Sequence, residues 1–169
     1  MIEDREFYKL PSFLQDLFED EVELLPSVNE LFELELAYLE YNCLPKGYLL
    51  DRLAYFKSIN GESTKHFLMY HHPSKALTYN RSARTKNYFE NGVFSTGYAT
   101  HGLFPYRGKF HPQLIKALIN IIGIKKGQTI LDPMCGSGTT NIEAALIGIN
   151  SYAIDLSPFC RFMTKGKYF

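Results

Sequence analysis

The stretch 130–140 constrains this chain more than any other. It reads Ile-Leu-Asp-Pro-Met-Cys-Gly-Ser-Gly-Thr-Thr: an apolar run, a sharp turn holding two glycines, then a helix start. Gly136 and Gly138 remove side chains where the backbone must turn tightly and where a ligand can approach it. The helix opening at Thr139 aims its first amides and its positive dipole end into the same space. The flanks extend the pattern. Pro112 suits the first position of a helix, and Leu114, Ile115, Leu118, Ile119 and Ile122 predict that this helix is buried on one side. Residues 128–131 predict a short strand, 139–147 a helix closed near Gly148, and 151–154 a second strand ending at Asp155. Ser157-Pro158 opens a further helix. Strand, helix, strand in this order predicts a parallel pair, and so an α/β fold with a partial Rossmann-like domain over residues 112–169.

Net charge is zero only in sum. Residues 1–50 hold 12 Asp/Glu against 3 Lys/Arg; residues 51–169 hold 6 against 15. The acidic region, 1–59, predicts mainly helices. Ser12 with Gln15 and Ser27 with Glu30 match capping boxes. Leu31, Leu34, Tyr38 and Tyr41 form a stripe, and Leu49, Leu53 and Phe56 predict a third helix over 48–59. A helical cap or an oligomerisation surface is the expected role. Residues 60–111 form a basic, aromatic-rich connecting region in which periodicity fails. Asn91-Gly92 lies between aromatic residues and predicts a hairpin. All five histidines fall in this region without metal-site spacing, so no metal is expected. Lys and Arg interleaved with aromatic residues suit phosphate contact and base stacking; Arg81, Arg84, Lys86 and Arg107 are the nucleic-acid candidates. Three scattered cysteines, no long apolar run and a polar acidic start predict a cytoplasmic protein with no membrane span and no secretory signal.

The ligand class follows from what the glycine turn lacks. A dinucleotide fingerprint needs a third glycine where this chain has Asn141, and a phosphate loop needs a lysine that is absent. Asp132 instead precedes the glycines. Asp155, at the end of the neighbouring strand, stands where a carboxylate accepts ribose hydroxyls. S-adenosylmethionine has an α-ammonium, a sulfonium and no phosphate, and it fits this set better than a nucleotide does.

At these residues a family resemblance appears. Residues 131–140 resemble motif I, the cofactor loop, of DNA amino methyltransferases acting on adenine-N6 or cytosine-N4. Residues 153–159 are similar to its motif II. The segment 102–112, Gly-Leu-Phe-Pro-Tyr-Arg-Gly-Lys-Phe-His-Pro, is similar to its motif X. The resemblance implies an S-adenosylmethionine site made by Asp132, Pro133, Cys135, Gly136, Ser137, Gly138, Thr139 and Asp155, with Lys109 and Phe110 at the methionine end. It implies DNA methylation of the restriction-modification kind, by direct methyl transfer. Cys135 is read as a loop-packing residue, since amino methylation needs no thiolate.

One part of the family pattern is missing. Such enzymes hold the target nitrogen with a [DNS]-P-P-[YFW] loop, whose aromatic ring stacks on an extruded base. The eight prolines here include no adjacent pair. No catalytic residue is therefore assigned within this chain. The expectation is the cofactor-binding half of a methyltransferase, inactive alone and completed by a partner chain carrying that loop. The alternatives are a non-catalytic or remnant subunit that binds adenosylmethionine or DNA, and a fragment of an RNA guanine-N2 methyltransferase, whose cofactor loop has similar wording.

Overall fold

A computed structural model describes residues 12–71, 98–104 and 106–168. Its first part is α1 (Ser12–Gln15), β1 (Val22–Leu24), α2 (Leu31–Cys43), a 3-10 turn at Lys46–Tyr48, α3 (Leu49–Arg52), β2 (Phe56–Ile59), β3 (Glu62–Ser63) and α4 (Lys65–His71). The second part is α5 (Pro112–Ile122), β4 (Thr129–Asp132), α6 (Thr139–Leu146), β5 (Asn150–Ala153) and α7 (Pro158–Tyr168). The strands form an antiparallel sheet in the order β1-β2-β3 and a parallel pair β4-β5, with Leu131 opposite Tyr152 and Asp132 opposite Ala153. The parallel pair and its crossover helix α6 are the expected partial Rossmann-like α/β unit. No helix among the described residues is long and apolar enough to cross a membrane.

The acidic region departs from the helical expectation at two strands, β1 and β2. Residues 48–59 are not a single helix: the chain leaves α3 at Leu53, where ψ is 137°, and becomes β2. The cause is Glu40 on α2. Its buried carboxylate accepts the Ala54 N–H at 2.9 Å and the Tyr55 N–H at 3.0 Å, so those amides serve no helical carbonyl. The second capping box also fails to form. Glu30 is the N-cap of α2 and makes no side-chain cap, while Ser27 Oγ accepts Gln113 Nε2 at 3.0 Å. The side chain of Ser12 and the hairpin expected at Asn91-Gly92 lie outside what is described.

Helix α5 joins the two parts. Ala117 completes the first core, with Leu24, Leu53, Phe56 and Tyr41, while Ile119 packs with Ala144 and Ile149 in the second. Each large aliphatic side chain removed from water contributes about 1.5–3 kcal/mol. The expected apolar stripe is met in part: Leu114, Ile115 and Ile119 pack into the two cores, but Leu118 and Ile122 are exposed. Ile122 is 71% exposed, whereas Gln113, Lys116 and Asn120 are buried. These three polar residues recur at helical spacing and clamp the first part of the fold. Gln113 Nε2 donates to Ala54 O, Asn120 Nδ2 to Glu40 and to Arg52 O, and Lys116 Nζ to His66 Nδ1. A buried polar face survives because its donors find acceptors.

Candidate functional site

Two strand ends and the turns after them build the site. Asp132 closes β4, is partly buried, and turns its Oδ1 to the Met134 N–H at 3.1 Å. Pro133 beside it is exposed. The chain then passes through Gly136 and Gly138, at φ of 50° and 79°. At such angles a Cβ is strained, so glycine is favoured. Gly138 is the N-cap of α6, and Thr139 is its buried first residue.

The space cleared by the glycines is used by the chain itself. A Cβ on Gly138 would meet Thr164 Cγ2 at 2.8 Å, and one on Gly136 would meet the Tyr106 ring at 3.1 Å. Thr164, on α7, donates from Oγ1 to Gly136 O at 3.2 Å and lies 3.5 Å from Cys135 Sγ. Cys135 is buried, and that burial pushes its thiol pKa up, as suits a packing residue.

Asp155 follows β5 and spans both turns. Its Oδ1 accepts the Ser157 N–H at 2.8 Å, and its Oδ2 accepts the Gly136 N–H at 2.9 Å. Those two bonds, Ser157 first, hold its pKa below the ordinary carboxylate value. A carboxylate has about four acceptor directions, so each oxygen keeps one for a ligand hydroxyl. Ser137 Oγ in the same turn is buried and makes no hydrogen bond among the described residues.

The segment before α5 packs beside this turn through Tyr106, whose hydroxyl lies 3.8 Å from Cys160 Sγ. Lys109 is partly buried, donates to His101 O at 3.2 Å, and has its pKa lowered by that burial. Phe110 is 63% exposed, and Arg107 is exposed. Arg81, Arg84 and Lys86 lie outside the described residues.

Sequence reasoning did not find Lys167 or Glu143. Lys167, in the last turn of α7, is buried, and its Nζ has no hydrogen-bond partner among the described residues; burial first, then Lys109, lowers its pKa. Glu143 on α6 is fully buried, bonded to the Tyr98 hydroxyl and 2.7 Å from His101 Nε2. Its place on the inner face of α6 was a signal, but its partners come from a region without periodicity. No group of three or more metal-ligating side chains occurs among the described residues.

One comparison with known proteins falls on this same segment. Residues 103–166 match the family described as RMKL-like, methyltransferase domain. The chain is 42% identical over 69 residues to the type II methyltransferase M.BsoBI of Geobacillus stearothermophilus, covering 41% of this chain and 14% of that protein. It is 48% identical over 59 residues to the type II methyltransferase M.MjaII of Methanocaldococcus jannaschii, covering 35% and 11%. It is 42% identical over 53 residues to a tRNA (guanine(10)-N2)-dimethyltransferase of Methanothermobacter thermautotrophicus, covering 31% and 16%. The chain thus spans less than a fifth of the length of each of these relatives. The resemblance to DNA amino methyltransferases read from motifs X, I and II holds, and it is a methyltransferase domain that these residues resemble.

Such a domain implies a methyl donor, and the donor set fits adenosylmethionine. Asp155 retains acceptor directions for two hydroxyls. Asp132 offers a carboxylate for an ammonium. Lys167 and Lys109 are cations held against burial without an anionic partner among the described residues, as an α-carboxylate requires.

Proposed function

We propose that this chain is the S-adenosylmethionine-binding portion of a DNA amino methyltransferase acting on adenine-N6 or cytosine-N4. The observation that carries the reading is the Asp155 bridge to Gly136, which holds a carboxylate in front of the glycine turn beside Asp132. In this reading Asp155 accepts the ribose hydroxyls, while the turn 135–139 lines the cofactor through its backbone, with Pro133 at its entry. Asp132, Lys109 and Phe110 meet the methionine end, joined by Lys167. Adenosylmethionine, when bound, supplies an electrophilic methyl group on its sulfonium.

Catalysis is completed by a partner polypeptide carrying a [DNS]-P-P-[YFW] loop, which this chain lacks. The sheet supports that arrangement. Among the described residues β4 and β5 pair only with each other. Parallel sheets normally have both faces covered. Here the cross-strand neighbours Leu131 and Tyr152 are 57% and 68% exposed, on the face opposite Ile130. Arg81, Arg84, Lys86 and Arg107 serve DNA phosphates in this reading.

The tRNA dimethyltransferase relative favours one second reading, an RNA guanine-N2 methyltransferase portion. A pair of chimeras separates the two. In one, the stretch of M.BsoBI aligned with this chain is replaced by this chain's residues; in the other, the same is done in the tRNA enzyme. Transfer of labelled methyl to duplex DNA by the first supports the proposal. Transfer only to tRNA by the second favours the RNA reading. Two folded, cofactor-binding but inactive chimeras leave a non-catalytic subunit.

A further inference from the structure

A cavity of about 800 Å³ opens at the other end of the parallel strands, away from the glycine turn. Gly123, Lys125 and Lys126 enter it from the turn before β4, and Gly148 from the turn before β5. The 3-10 turn, α3 and α4 close it on the acidic-region side. Its charge is lopsided: among the described residues Arg52, Lys65, Lys116, Lys125 and Lys126 line it, with Asp51 as the one acid.

Lys65 pairs with Asp51 at 3.5 Å. Lys116 is buried, with its Nζ bonded to His66 Nδ1. Arg52, Lys125 and Lys126 make no ion pair among the described residues. The C-terminal ends of α5 and α6 face the cavity, and each carries roughly half a negative charge. About two positive charges then remain, which matches a phosphate monoester dianion. Arg52 is under-used as well. Its Nη1 donates to Ile124 O at 3.0 Å, while Nε and Nη2 are covered and make no hydrogen bond among the described residues. A guanidinium with idle covered donors gains by turning them to an anion, with which it forms charge-assisted bonds. The rest of the wall is suited to a base. Tyr48 is 57% exposed at the rim, and Met69 and Leu146 add apolar surface. The volume is that of a small-ligand site.

We propose that this cavity is a second binding site, distinct from the glycine turn, for the phosphate ester of a nucleotide. Arg52, Lys125 and Lys126 take the phosphate, and Tyr48 takes the base. The ester is either a free nucleotide or the 5′ end of a nucleic-acid strand.

The test titrates the full chain with AMP, inorganic phosphate and a 5′-phosphorylated oligothymidylate. The variants are the double change Lys125→Ala, Lys126→Ala, and separately Leu146→Glu. Both lysines are exposed, so their loss spares the fold, and the glutamate sets a like charge in the cavity mouth. AMP should bind the wild type at least about tenfold more tightly than either variant. Adenosylmethionine affinity should stay unchanged in the lysine variant. AMP binding should persist in Asp155→Ala, which separates the cavity from the glycine turn. Oligonucleotide that displaces AMP identifies a strand end, and oligonucleotide that does not identifies a free nucleotide. Absence of binding by all three probes, or binding indifferent to the cavity variants, overturns the proposal. So does AMP binding lost in Asp155→Ala but kept in the lysine variant.

Discussion

Asp155 Oδ2 accepts the Gly136 N–H at 2.9 Å and so ties the end of β5 to the turn after β4. Backbone bonds flank this link: Cys135 N donates to Ile154 O, and Ile154 N to Asp132 O, each at 2.9 Å. The carboxylate therefore shapes the turn before any ligand arrives. A ligand hydroxyl meets an acceptor already fixed in place, which reduces the ordering that binding requires.

Asp155→Ala should loosen the turn. The Gly136 and Ser157 amides both lose their acceptor, and their hydrogen-exchange protection should fall by about tenfold or more. Asp155→Asn, which keeps one oxygen, should lose less. The folded pKa lies below the unfolded value of 3.8, so the carboxylate's contribution is present above that value. It is lost as pH falls through the folded pKa. Equal protection in wild type and alanine variant would show the turn to be held by backbone alone.

Glu40 makes a second prediction, with the opposite sign. Burial outweighs its bonds to Asn120, Tyr55 and Ala54 and lifts its pKa from 4.5 to about 7. The folded state then binds more protons than the unfolded state between those values. Its contribution is full below about pH 4.5 and declines as pH rises through 7. His66 and His111 are shifted down by burial and oppose this trend, while Lys116, lowered to about 8, acts only above that pH. The measurement is therefore a difference: urea stability of wild type minus Glu40→Gln at pH 5 and pH 7.5. The difference should shrink by about 2–3 kcal/mol toward the higher pH. Glu40→Leu should destabilise at both, since the Ala54 and Tyr55 amides lose their acceptor at about 1–3 kcal/mol each.

Gly138→Ala combines a left-handed φ of 79° with a clash against Thr164. It should destabilise by at least about 1–2 kcal/mol. In a double-mutant cycle, Thr164→Ala should relieve the steric share and leave the backbone share, giving a coupling of about 0.5 kcal/mol or more. Additive losses in thermal melts would mean that the contact carries no strain.

Leu131 and Tyr152 test the open sheet face. Changing both to Asn should alter the chain's own stability by less than about 1 kcal/mol, because the side chains are already largely in water. It should abolish assembly with a completing polypeptide in size-exclusion chromatography. Intact assembly by the double variant would place the interface elsewhere.

Much of the part from Pro112 onward was legible because its signals are local. Pro112, the two turn glycines and Ser157-Pro158 each stand at the element boundary they mark. The acidic region hid its strands for a physical reason. Leu49, Leu53 and Phe56 have helical spacing, yet Glu40, 14 residues before Ala54, draws the chain out of the helix. Nothing local records that bond. The row Gln113, Lys116, Asn120 was visible as spacing, but a search for apolar stripes passes over polar residues whose partners lie about 50 to 86 positions away. Arg107 lies exposed near the site, while Arg81, Arg84 and Lys86 fall outside the described residues.

Calorimetric titration with S-adenosylmethionine tests the central claim most directly. It should be run on the chain and on the M.BsoBI chimera, with Asp132→Ala and Asp155→Ala beside each. The account predicts saturable one-to-one binding that weakens by about tenfold or more in either variant, since each loses a charged hydrogen-bond partner of the ligand. Binding absent from both the chain and the chimera, or untouched by both substitutions, would contradict it.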